Sequence, residues 1–410
     1  MKTKPKNLSA TSSSAPPRAT PSGWQTVKLG EVCEFDKVQG VHRDLPYVGL
    51  EHIESHTACF IGDSEPQTVK SMTFRFSTEH VLYGRLRPYL NKALAPDFEG
   101  HCSTEIFPLK PGAALSREFL LYWLLSGETM ERINATCSGA RMPRADMNEV
   151  LEFEIQLPPL PEQRRIVGIL DEALAGIAAA KAHAERNRQN ARALFESHLH
   201  AVFSQPGPGS TDVGFSDVCE ISSALVDPRL PEHQQLVHIG GANIEAKTGE
   251  LLELKTAEEE GLKSGKFLFD PTMVLYSKIR PYLMKVVRPD FEGLCSADIY
   301  PLAPKKGRLS RDFLFHLLLT PEFTEYAIAG SARAGMPKVN REHLFAFRFT
   351  LPPMERQKAI ARRLDALAAE TRRLEGLYER KAAALDELKQ SLLHQAFSGG
   401  FDRLSHRSGE

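Results

Sequence analysis

The sequence predicts an α+β protein with two tandem mixed α/β domains, separated by two long helices that pair as an antiparallel coiled coil. Three observations lead to this fold class: an internal duplication, a change of composition within each copy, and a heptad repeat in the second part of each copy. The chain has 410 residues, which at about 150 residues per domain accommodates two or three domains.

The duplication is clearest in one 31-residue block. Residues 81–111 read VLYGRLRPYLNKALAPDFEGHCSTEIFPLKP, residues 274–304 read VLYSKIRPYLMKVVRPDFEGLCSADIYPLAP, and 19 of the 31 positions are identical. The similarity continues through LSREFL and LSRDFL, through LPP at 157 and 351, and through HAVFS at 200 and HQAFS at 394. A period of about 190 residues is too long for a solenoid repeat of 20–50 residues, so whole domains with their connectors are duplicated.

Each copy changes in character along its length. Its first part alternates short apolar runs with Gly, Pro and Asp, which predicts short strands and loops with helices at 116–133 and 310–328. Its second part, rich in Ala, Leu, Glu, Arg and Lys, lacks proline for about 40 residues after Pro161 and after Pro353. The predicted boundaries are a disordered tail at 1–23, a domain at 24–157, a helix at 158–206, a domain at 207–351, a helix at 352–400 and a tail at 401–410.

The two proline-free segments carry a heptad seam. The seam of the second is rich in Leu and that of the first in Ala, so the two segments match each other better than either matches itself. We therefore expect them to pair, with the alternative that each packs separately on its own domain. The predicted seam positions are Leu364, Leu367, Thr371, Leu374, Tyr378, Lys381, Leu385, Leu388 and Leu392, and in the first helix Leu170, Ala173, Ile177, Ala180, Ala184, Asn187, Ala191, Leu194 and His198.

Composition limits the function. The net charge is −1, with 13 Lys+Arg against 19 Asp+Glu in residues 24–157 and 17 against 19 in residues 207–351. Any nucleic-acid surface must therefore be a local patch. No apolar run approaches the ~20 residues of a membrane span, and the first 22 residues lack a secretory core. The six cysteines show no C-x-x-C spacing, so we expect reduced thiols, no metal site and a cytoplasmic protein.

Catalytic motifs are missing from the sequence. GLKSGKF at 261–267 has the wrong spacing for a phosphate loop, and no N-P-P-Y or D-P-P-Y block is present. The PDFEG blocks at 96–100 and 289–293 invite a nuclease interpretation, but the downstream acids Glu105 and Asp298 lack the lysine two positions on. We expect PDFEG to form a turn between strands, and the chain alone to neither cut nor methylate DNA.

Several segments together resemble the specificity subunits of type I restriction-modification enzymes. They are LPPLPEQRRIVGILD at 157–171, LPPMERQKAIARRLD at 351–365, SLLHQAFSGGF at 391–401, WQTVKLGEV at 24–32, and the RPYLNK and RPYLMK blocks with their G-x-C-S-x-x-I continuations. The resemblance extends from Trp24 to Phe401. The second helix start departs from the usual PLxEQ by reading MERQ, which still aligns Gln357 with Gln163.

The resemblance implies a division of labour. Each globular domain would be a target recognition domain for one half of a bipartite, asymmetric DNA target, and the helices would be a spacer and a docking surface. Two methyltransferase subunits would methylate adenine at N6 with S-adenosylmethionine, and motor-nuclease subunits would use ATP and Mg. This chain would bind no cofactor and no metal. The docking positions at the helix starts would be Gln163, Arg164, Gln357 and Lys358.

Two repeated cationic segments are the candidates for contacting DNA, because Arg forks and Lys ammonium groups bind guanine and phosphate. Alternatives are that Arg87 forms a buried corner with Asp97 and that the second segment is a solvated loop. Segments 42–69 and 228–266 differ most between the copies and are expected to read sequence. The candidates are Arg85, Arg87, Tyr89, Lys92, Lys278, Arg280, Tyr282 and Lys285 in the first segment, and Arg141, Arg144, Arg333 and Lys338 in SGARMPR and SARAGMPK.

A second class of function stays open on the sequence alone. The duplicated domains could bind protein across a coiled-coil spacer without binding DNA, and the slight acidic excess favours this alternative. The salt dependence of duplex binding distinguishes the two classes, because neutralising phosphates makes affinity fall steeply with salt.

Overall fold

The computed structural model describes residues 23–139, 141–205, 207–221, 225–331 and 337–401. The chain divides into two compact units: the first contains Met1–Ala184 with Arg380–Glu410, and the second contains Glu185–Glu379. Each unit thus holds one globular domain and part of each long helix. Apart from Gly23 and Phe401, the predicted tails at 1–23 and 401–410 lie outside the described residues.

The domain of the first unit contains two four-stranded sheets and one strand pair. Its strands are β1 (Gln25–Lys28), β2 (Cys33–Phe35), β3 (Gln39–Gly40), β4 (Tyr47–Val48), β5 (Thr73–Phe76), β6 (Val81–Gly84), β7 (Ala93–Leu94), β8 (Gly100–Cys102), β9 (Ile106–Pro111) and β10 (Glu154–Leu157). Its helices are α1 (Leu29–Val32), α2 (Arg117–Leu125), α3 (Gly127–Ala135) and α4 (Met147–Leu151), after which the long helix α5 (Leu160–Ser204) begins. The sheet orders are β2-β9-β6-β7 and β3-β5-β8-β4, antiparallel except for the β4–β8 pair.

The domain of the second unit repeats this topology and adds one edge strand. Its strands are β11 (Thr211–Gly214), β12 (Cys219–Ile221), β13 (Leu225–Val226), β14 (Val237–Ile239), β15 (Lys255–Thr256), β16 (Lys266–Phe269), β17 (Val274–Ser277), β18 (Val286–Val287), β19 (Gly293–Cys295), β20 (Ile299–Pro304) and β21 (Arg348–Leu351). Its helices are α6 (Phe215–Val218), α7 (Pro231–Gln234), α8 (Arg311–Leu317), α9 (Pro321–Ala329) and α10 (Arg341–Phe345), followed by the long helix α11 (Met354–Phe397). The sheet orders are β12-β20-β17-β18 and β13-β16-β19-β14-β15, where β14 and β19 are parallel.

In each domain the first and last strands pair with each other. β1 runs antiparallel to β10, and β11 runs antiparallel to β21. The chain therefore leaves each domain beside the point where it entered, and it leaves directly into a long helix. The PDFEG blocks lie between β7 and β8 and between β18 and β19, so the predicted turn between strands is confirmed.

The helices predicted at 116–133 and 310–328 are each interrupted, contrary to the sequence prediction. The first is divided at Ser126, whose buried hydroxyl donates to the Trp123 carbonyl and accepts from the Thr129 amide. Ser126 therefore ends α2 and caps α3, which is the chemistry that favours serine at an N-cap. The second is divided before Pro321, because proline at the first position of α9 cannot continue the ladder of α8.

The two long helices pack against each other antiparallel in each unit. In the first unit Lys181 Nζ lies 2.6 Å from Asp386 Oδ1, and Leu170 shares a core with Leu393 and Ala396. Moving along one helix thus means moving backwards along the other. In the second unit Arg188 pairs with Glu379, and Leu199 shares a core with Leu364, so the helices are antiparallel there as well. Among the described residues, no helix combines the length and the apolar character needed to cross a membrane.

The inward face of the first long helix follows a period of 3.6 rather than the predicted 3.5. Leu170, Ile177 and Ala184 are buried as predicted. Further along, the predicted Leu194 is 64% exposed, and its neighbour Phe195 is half-buried in the domain core instead. A straight helix drifts by about 20° per heptad from a strict seven-residue repeat, which amounts to one residue after several heptads.

The second long helix shows the same drift. Leu364 and Thr371 are buried, but Leu388 is 47% exposed, whereas Leu393 is fully buried. The predicted seam position Lys381 is also exposed. Both helices are therefore straighter than a heptad count implies, and a seam counted from one end is off by one residue at the other.

Each domain contacts the C-terminal end of the long helix that follows the other domain in the sequence. Phe397 packs on Phe119 with ring centroids 5.1 Å apart, and in the second unit Phe203 packs on Phe313 at 4.9 Å. These are the phenylalanines of the repeated H-x-x-F-S motif. The repeat is thus explained by an anchor that attaches the C-terminal end of each long helix to a domain core.

We predict that Leu364→Ala lowers the free energy of unfolding by about 2–5 kcal/mol, because a fully buried leucine is replaced by a cavity. Leu194→Ala is the matched control, since its exposed side chain should cost less than about 1 kcal/mol. Urea unfolding of the two variants measures the difference. Equal losses would contradict the 3.6-residue assignment of the inward face.

Candidate nucleic-acid interface

A tight corner in the backbone carries the first group of predicted cations. Arg87 has φ of 52° and Asn91 has φ of 42°, on either side of a 3₁₀ turn at Pro88–Leu90. Arg280 and Met284 adopt the same left-handed conformations around Pro281–Leu283. Left-handed backbone is costly for residues other than glycine and persists only where surrounding contacts enforce it. Its occurrence at both copies makes the corner a built feature of the fold.

Backbone hydrogen bonds join the corner to the second predicted cationic segment. The Arg87 amide donates to the Pro143 carbonyl at 2.8 Å, and the Ala145 amide donates to the Arg85 carbonyl at 2.9 Å. In the second unit the Arg280 amide donates to the Pro337 carbonyl at 2.9 Å. The two segments are about 55 residues apart in sequence, and the fold makes one surface of them in each domain. We call this surface the corner patch, residues 85–92 with 138–144 and residues 278–285 with the described 337–338.

The outer side chains of the corner patch are free to contact a ligand. Arg87 and Arg280 are exposed, and Tyr89 and Tyr282 expose 46% and 51% of their surface. Arg141 is also exposed. No ion pair or side-chain hydrogen bond engages either corner arginine within the described residues. The alternative of a buried Arg87–Asp97 pair is therefore wrong, because both side chains face solvent.

A carboxylate lies between two cations at the base of each patch. Glu105 accepts from Arg144, with 2.9 Å between Arg144 Nη2 and Glu105 Oε1, and it lies 3.7 Å from Arg85 Nε. This hydrogen bond raises the pKa of Arg144. These contacts orient the two arginines and leave each cluster with one net positive charge.

The second unit repeats the cluster with other residue types. Asp298 lies 3.1 Å from Lys338 Nζ and 3.8 Å from Lys278 Nζ. Burial, with the neighbouring Lys338 adding to it, lowers the pKa of Lys278. The acids considered above for a nuclease are thus engaged as ion-pair partners.

Lys92 and Lys285 are corrections to the predicted set. Lys92 Nζ donates to the carbonyls of Leu50 and Ile53, both at 2.7 Å, and Lys285 Nζ donates to the carbonyl of Gly241. Each ammonium group is half-buried and used inside its own domain, so it is not presented to DNA. These lysines instead attach the repeated block to the segment that differs between the domains.

Some predicted positions lack a structural description. Arg333 lies outside the described residues, as does Met336, so the second copy of the Gly-rich loop is described only from Pro337. The divergent segment 42–69 carries five acidic residues and a single arginine. This segment therefore offers little positive charge for phosphate contact.

The glutamines at the helix starts are also corrections. Gln163 has no exposed surface; its amide accepts from the Ser116 amide at 2.7 Å and donates to the carbonyls of Ala114 and Pro158, both at 2.8 Å. Gln357 makes the same three bonds with Ser310, Arg308 and Pro352. Because their polar atoms are used internally, the glutamines cannot contact a partner in this conformation. They fix the start of each long helix to its domain.

The lysine and arginine beside these glutamines remain available. Arg164 is exposed, and the Lys358 side chain is 52% exposed with an ion pair to Glu355 at 3.0 Å. The predicted docking surface thus reduces to these two cations.

The type I restriction modification DNA specificity domain is the family whose model matches this chain, at residues 67–185 and again at 213–380. The two matches cover more than half of the sequence. The chain belongs to the type I restriction-modification specificity family. It is a type I specificity subunit by this membership, and the family is non-catalytic, so no cofactor is expected in it.

Curated relatives agree with this assignment. The chain is 28% identical over 417 residues to the type I restriction enzyme EcoDI specificity subunit of Escherichia coli, covering 92% of this chain and 89% of the relative. It is 23% identical to the StySPI specificity subunit of Salmonella potsdam, covering 71% and 67%.

Solved structures show the same fold. A chain described under the structural basis of assembly and conformational transition of the type I R-M system superposes with a TM-score of 0.77 at 24% identity, covering 93% of this chain and all of the other. The HsdS subunit of Thermoanaerobacter tengcongensis superposes with a TM-score of 0.58 at 24% identity, covering 94% and 99%. The predicted tandem α+β domains with long pairing helices are confirmed.

We predict that Gln357→Met destabilises this specificity subunit by at least about 2 kcal/mol, because three buried or partly buried backbone groups lose their partners while the side-chain volume is kept. Lys358→Met, one residue on, should change stability by less than about 0.5 kcal/mol. Thermal unfolding distinguishes them. If Gln357→Met instead left stability unchanged and only weakened binding of a methyltransferase subunit, the docking prediction would be restored.

Proposed function

We propose that this specificity subunit recognises a bipartite, asymmetric target in double-stranded DNA, with one half-site per domain. The observation that carries the proposal is the corner patch, which recurs in both domains with an exposed arginine and an exposed tyrosine. Arginine contacts phosphate as a planar fork, and tyrosine offers a rigid amphipathic surface. Because Arg87 and Arg280 are the same residue in domains whose other segments differ, we assign them to phosphate contact rather than to base reading.

Base reading is assigned to the divergent segments 42–69 and 228–266. Lys92 and Lys285 attach these segments to the corner patch through backbone carbonyls of Leu50, Ile53 and Gly241. In this arrangement a phosphate contact at the patch fixes the register in which the segment meets base edges. That order of events is general for DNA-binding proteins, where phosphate contacts position and base contacts specify.

The rest of the enzyme would be supplied by partners. We propose that the long helices and the cations Arg164 and Lys358 dock two methyltransferase subunits, which methylate adenine at N6 with S-adenosylmethionine. Motor-nuclease subunits would add cleavage driven by ATP with Mg. The assembly would work in the cytoplasm, where the chromosome is. A protein-binding scaffold without DNA binding is the competing function, supported by the acidic balance of the first domain.

We predict that Arg87→Ala and Arg280→Ala weaken binding to cognate and unrelated duplexes by similar factors. Loss of one phosphate contact should also reduce the slope of log K against log salt by about 1. Titrations of the complex with its methyltransferase subunits, at several salt concentrations, measure both quantities. Arg348→Ala removes the same charge from an exposed strand position outside the corner patch and is the control.

Two outcomes would contradict this assignment. Undiminished affinity with an altered consensus would make the arginines base readers. Salt-independent or absent duplex binding by the unmodified complex would favour the protein-binding scaffold.

We further predict that the helix pair sets the gap between the half-sites. α5 has 45 residues and α11 has 44, which corresponds to helices of about 65 Å. Inserting four residues near Asn187–Ala191 adds about 6 Å and one turn, while one base pair spans about 3.4 Å. We expect the same two half-sites with a gap longer by one or two base pairs, as measured by methylation mapping.

A matched insertion of one heptad in each helix is the companion variant, because it turns the packing face by only about 20°. It adds about 10 Å and should lengthen the gap by about three base pairs. An unchanged gap in an active variant, or changed half-sites, would rule out the spacer.

A further inference from the structure

Each of the repeated segments 157–171 and 351–365 ends in an aspartate, Asp171 or Asp365. This aspartate lies on the helix that leaves a domain and forms a hydrogen bond with that domain. In the first unit the Tyr122 hydroxyl of α2 donates to the Asp171 carboxylate on α5. In the second unit His316 of α8 occupies the position equivalent to Tyr122, and its Nε2 lies 2.8 Å from Oδ1 of Asp365 on α11. The acceptor is an aspartate in both units, whereas the donor is Tyr122 in the first and His316 in the second. Both units therefore contain a hydrogen bond at this position, made with different donors.

The second unit reinforces the link with an arginine where the first unit has Ala95. Arg288 bonds Asp365 through one amino group and Asp312 through the other at 2.7 Å, and its guanidinium lies 4.5 Å from the centre of the Phe315 ring. Burial alone would raise the pKa of Asp365, but the hydrogen bonds from His316 and Arg288 outweigh it and hold the pKa at about 2. The carboxylate is therefore charged at neutral pH and accepts strong hydrogen bonds.

His316 is buried to 1% exposure of its side chain, and burial lowers its pKa. A neutral imidazole beside a carboxylate carries its proton on the nitrogen that faces that carboxylate, here Nε2. The other nitrogen, Nδ1, has no hydrogen-bond partner among the described residues. The ring therefore has a single anchor, and that anchor is Asp365.

A cavity of about 400 Å³, partly open to solvent, lies beside His316 and Asp365, between the domain and the helices of the second unit. Leu364, the residue before Asp365, is buried in the domain core. Apolar packing therefore holds the helix on one side, and the polar link holds it at the edge of the cavity. The cavity is lined on the helix side by Arg192, Phe195, Ala368 and Thr371, and on the domain side by Leu251 and Phe315.

We propose that Asp171 and Asp365 are positioning residues for target recognition, each of which fixes the angle between a recognition domain and the helix leaving it. The proposal rests on the bipartite DNA recognition proposed above. Gln163 and Gln357 attach the first turn of each helix, and the buried Leu170 and Leu364 pack in the domain cores. The aspartates, about two turns after the glutamines, add a directional polar contact beside this packing. This contact restricts rotation of a domain on its helix, and the complex then tolerates only one gap between half-sites.

The test compares variants that differ by a single donor group. Tyr122→Phe deletes one hydroxyl in the first unit, and His316→Phe removes the donor in the second. The complex of the full chain with its methyltransferase subunits is assayed on duplexes whose half-sites are separated by the native gap, or by one base pair more or fewer. The measured quantity is the ratio of methylation rates on the native gap and on the altered gaps.

We expect this ratio to fall about tenfold in Tyr122→Phe and in His316→Phe, with a smaller change in the rate on the native gap. His316→Tyr places the donor of the first unit in the second and should restore the ratio. Tyr83→Phe removes a buried hydroxyl in the first domain that has no hydrogen-bond partner among the described residues, and it should leave the ratio unchanged.

The outcomes separate the two proposals. If rates on native and altered gaps fall together, or if the ratio stays unchanged in folded variants, Asp171 and Asp365 are structural only. If the unmodified complex shows no preference for any gap, bipartite recognition itself is overturned. If His316→Phe fails to fold, Tyr122→Phe still decides, because its ring remains in place.

Discussion

The structure depends on the way each domain holds two helix ends at once. Gln163 or Gln357 fixes the start of the helix that leaves a domain, and Phe119 or Phe313 receives the end of the other long helix. Because these contacts combine a buried amide network with aromatic packing, both the position and the direction of each helix are set at the domain. The antiparallel pairing of the helices follows from these attachments as much as from the contacts along their length.

The corner patch likewise contains side chains bonded within the domain and side chains exposed to solvent. Glu105 and Asp298 each lie close to two cations, and Lys92 and Lys285 donate to backbone carbonyls. Only a few of the predicted cations are therefore available to bind a ligand. Arg87 and Arg280 adopt a left-handed backbone conformation that costs free energy, and both domains keep it. Neither side chain forms an ion pair with the described residues. Because these few exposed cations lie together at the corner patch, a chain with a slight negative net charge can still present a local cationic surface.

Much of this organisation could be predicted from one sequence. The duplication, the two textures within each copy and the long helices follow from spacing and composition, which depend on local chemistry. Three features could not be predicted. The drift of the seam to Phe195 and Leu393 depends on how straight the helices are; the break at Ser126 depends on a buried hydroxyl; and the burial of Gln163 depends on the Ala114 carbonyl and the Ser116 amide, 49 and 47 residues away. A repeated residue is equally visible whether it serves the core or a surface. Neither the repeated cationic block, which suggested Lys92 and Lys285, nor the family resemblance, which suggested Gln163 and Gln357, could show that these side chains are used internally.

The crossing of helix ends between domains has a consequence for biosynthesis. Leu393, Ala396 and Phe401 belong to the core of the first unit, yet they are translated well over 200 residues after the first domain ends at Leu157. At about 5–20 residues per second, the first domain waits on the order of 10–50 s for this part of its core after its own sequence has been made. During that interval the apolar surface around Phe119 has no helix to cover it. A ribosome-bound nascent chain would therefore expose this surface to other proteins, chaperones included, until the end of α11 has been made.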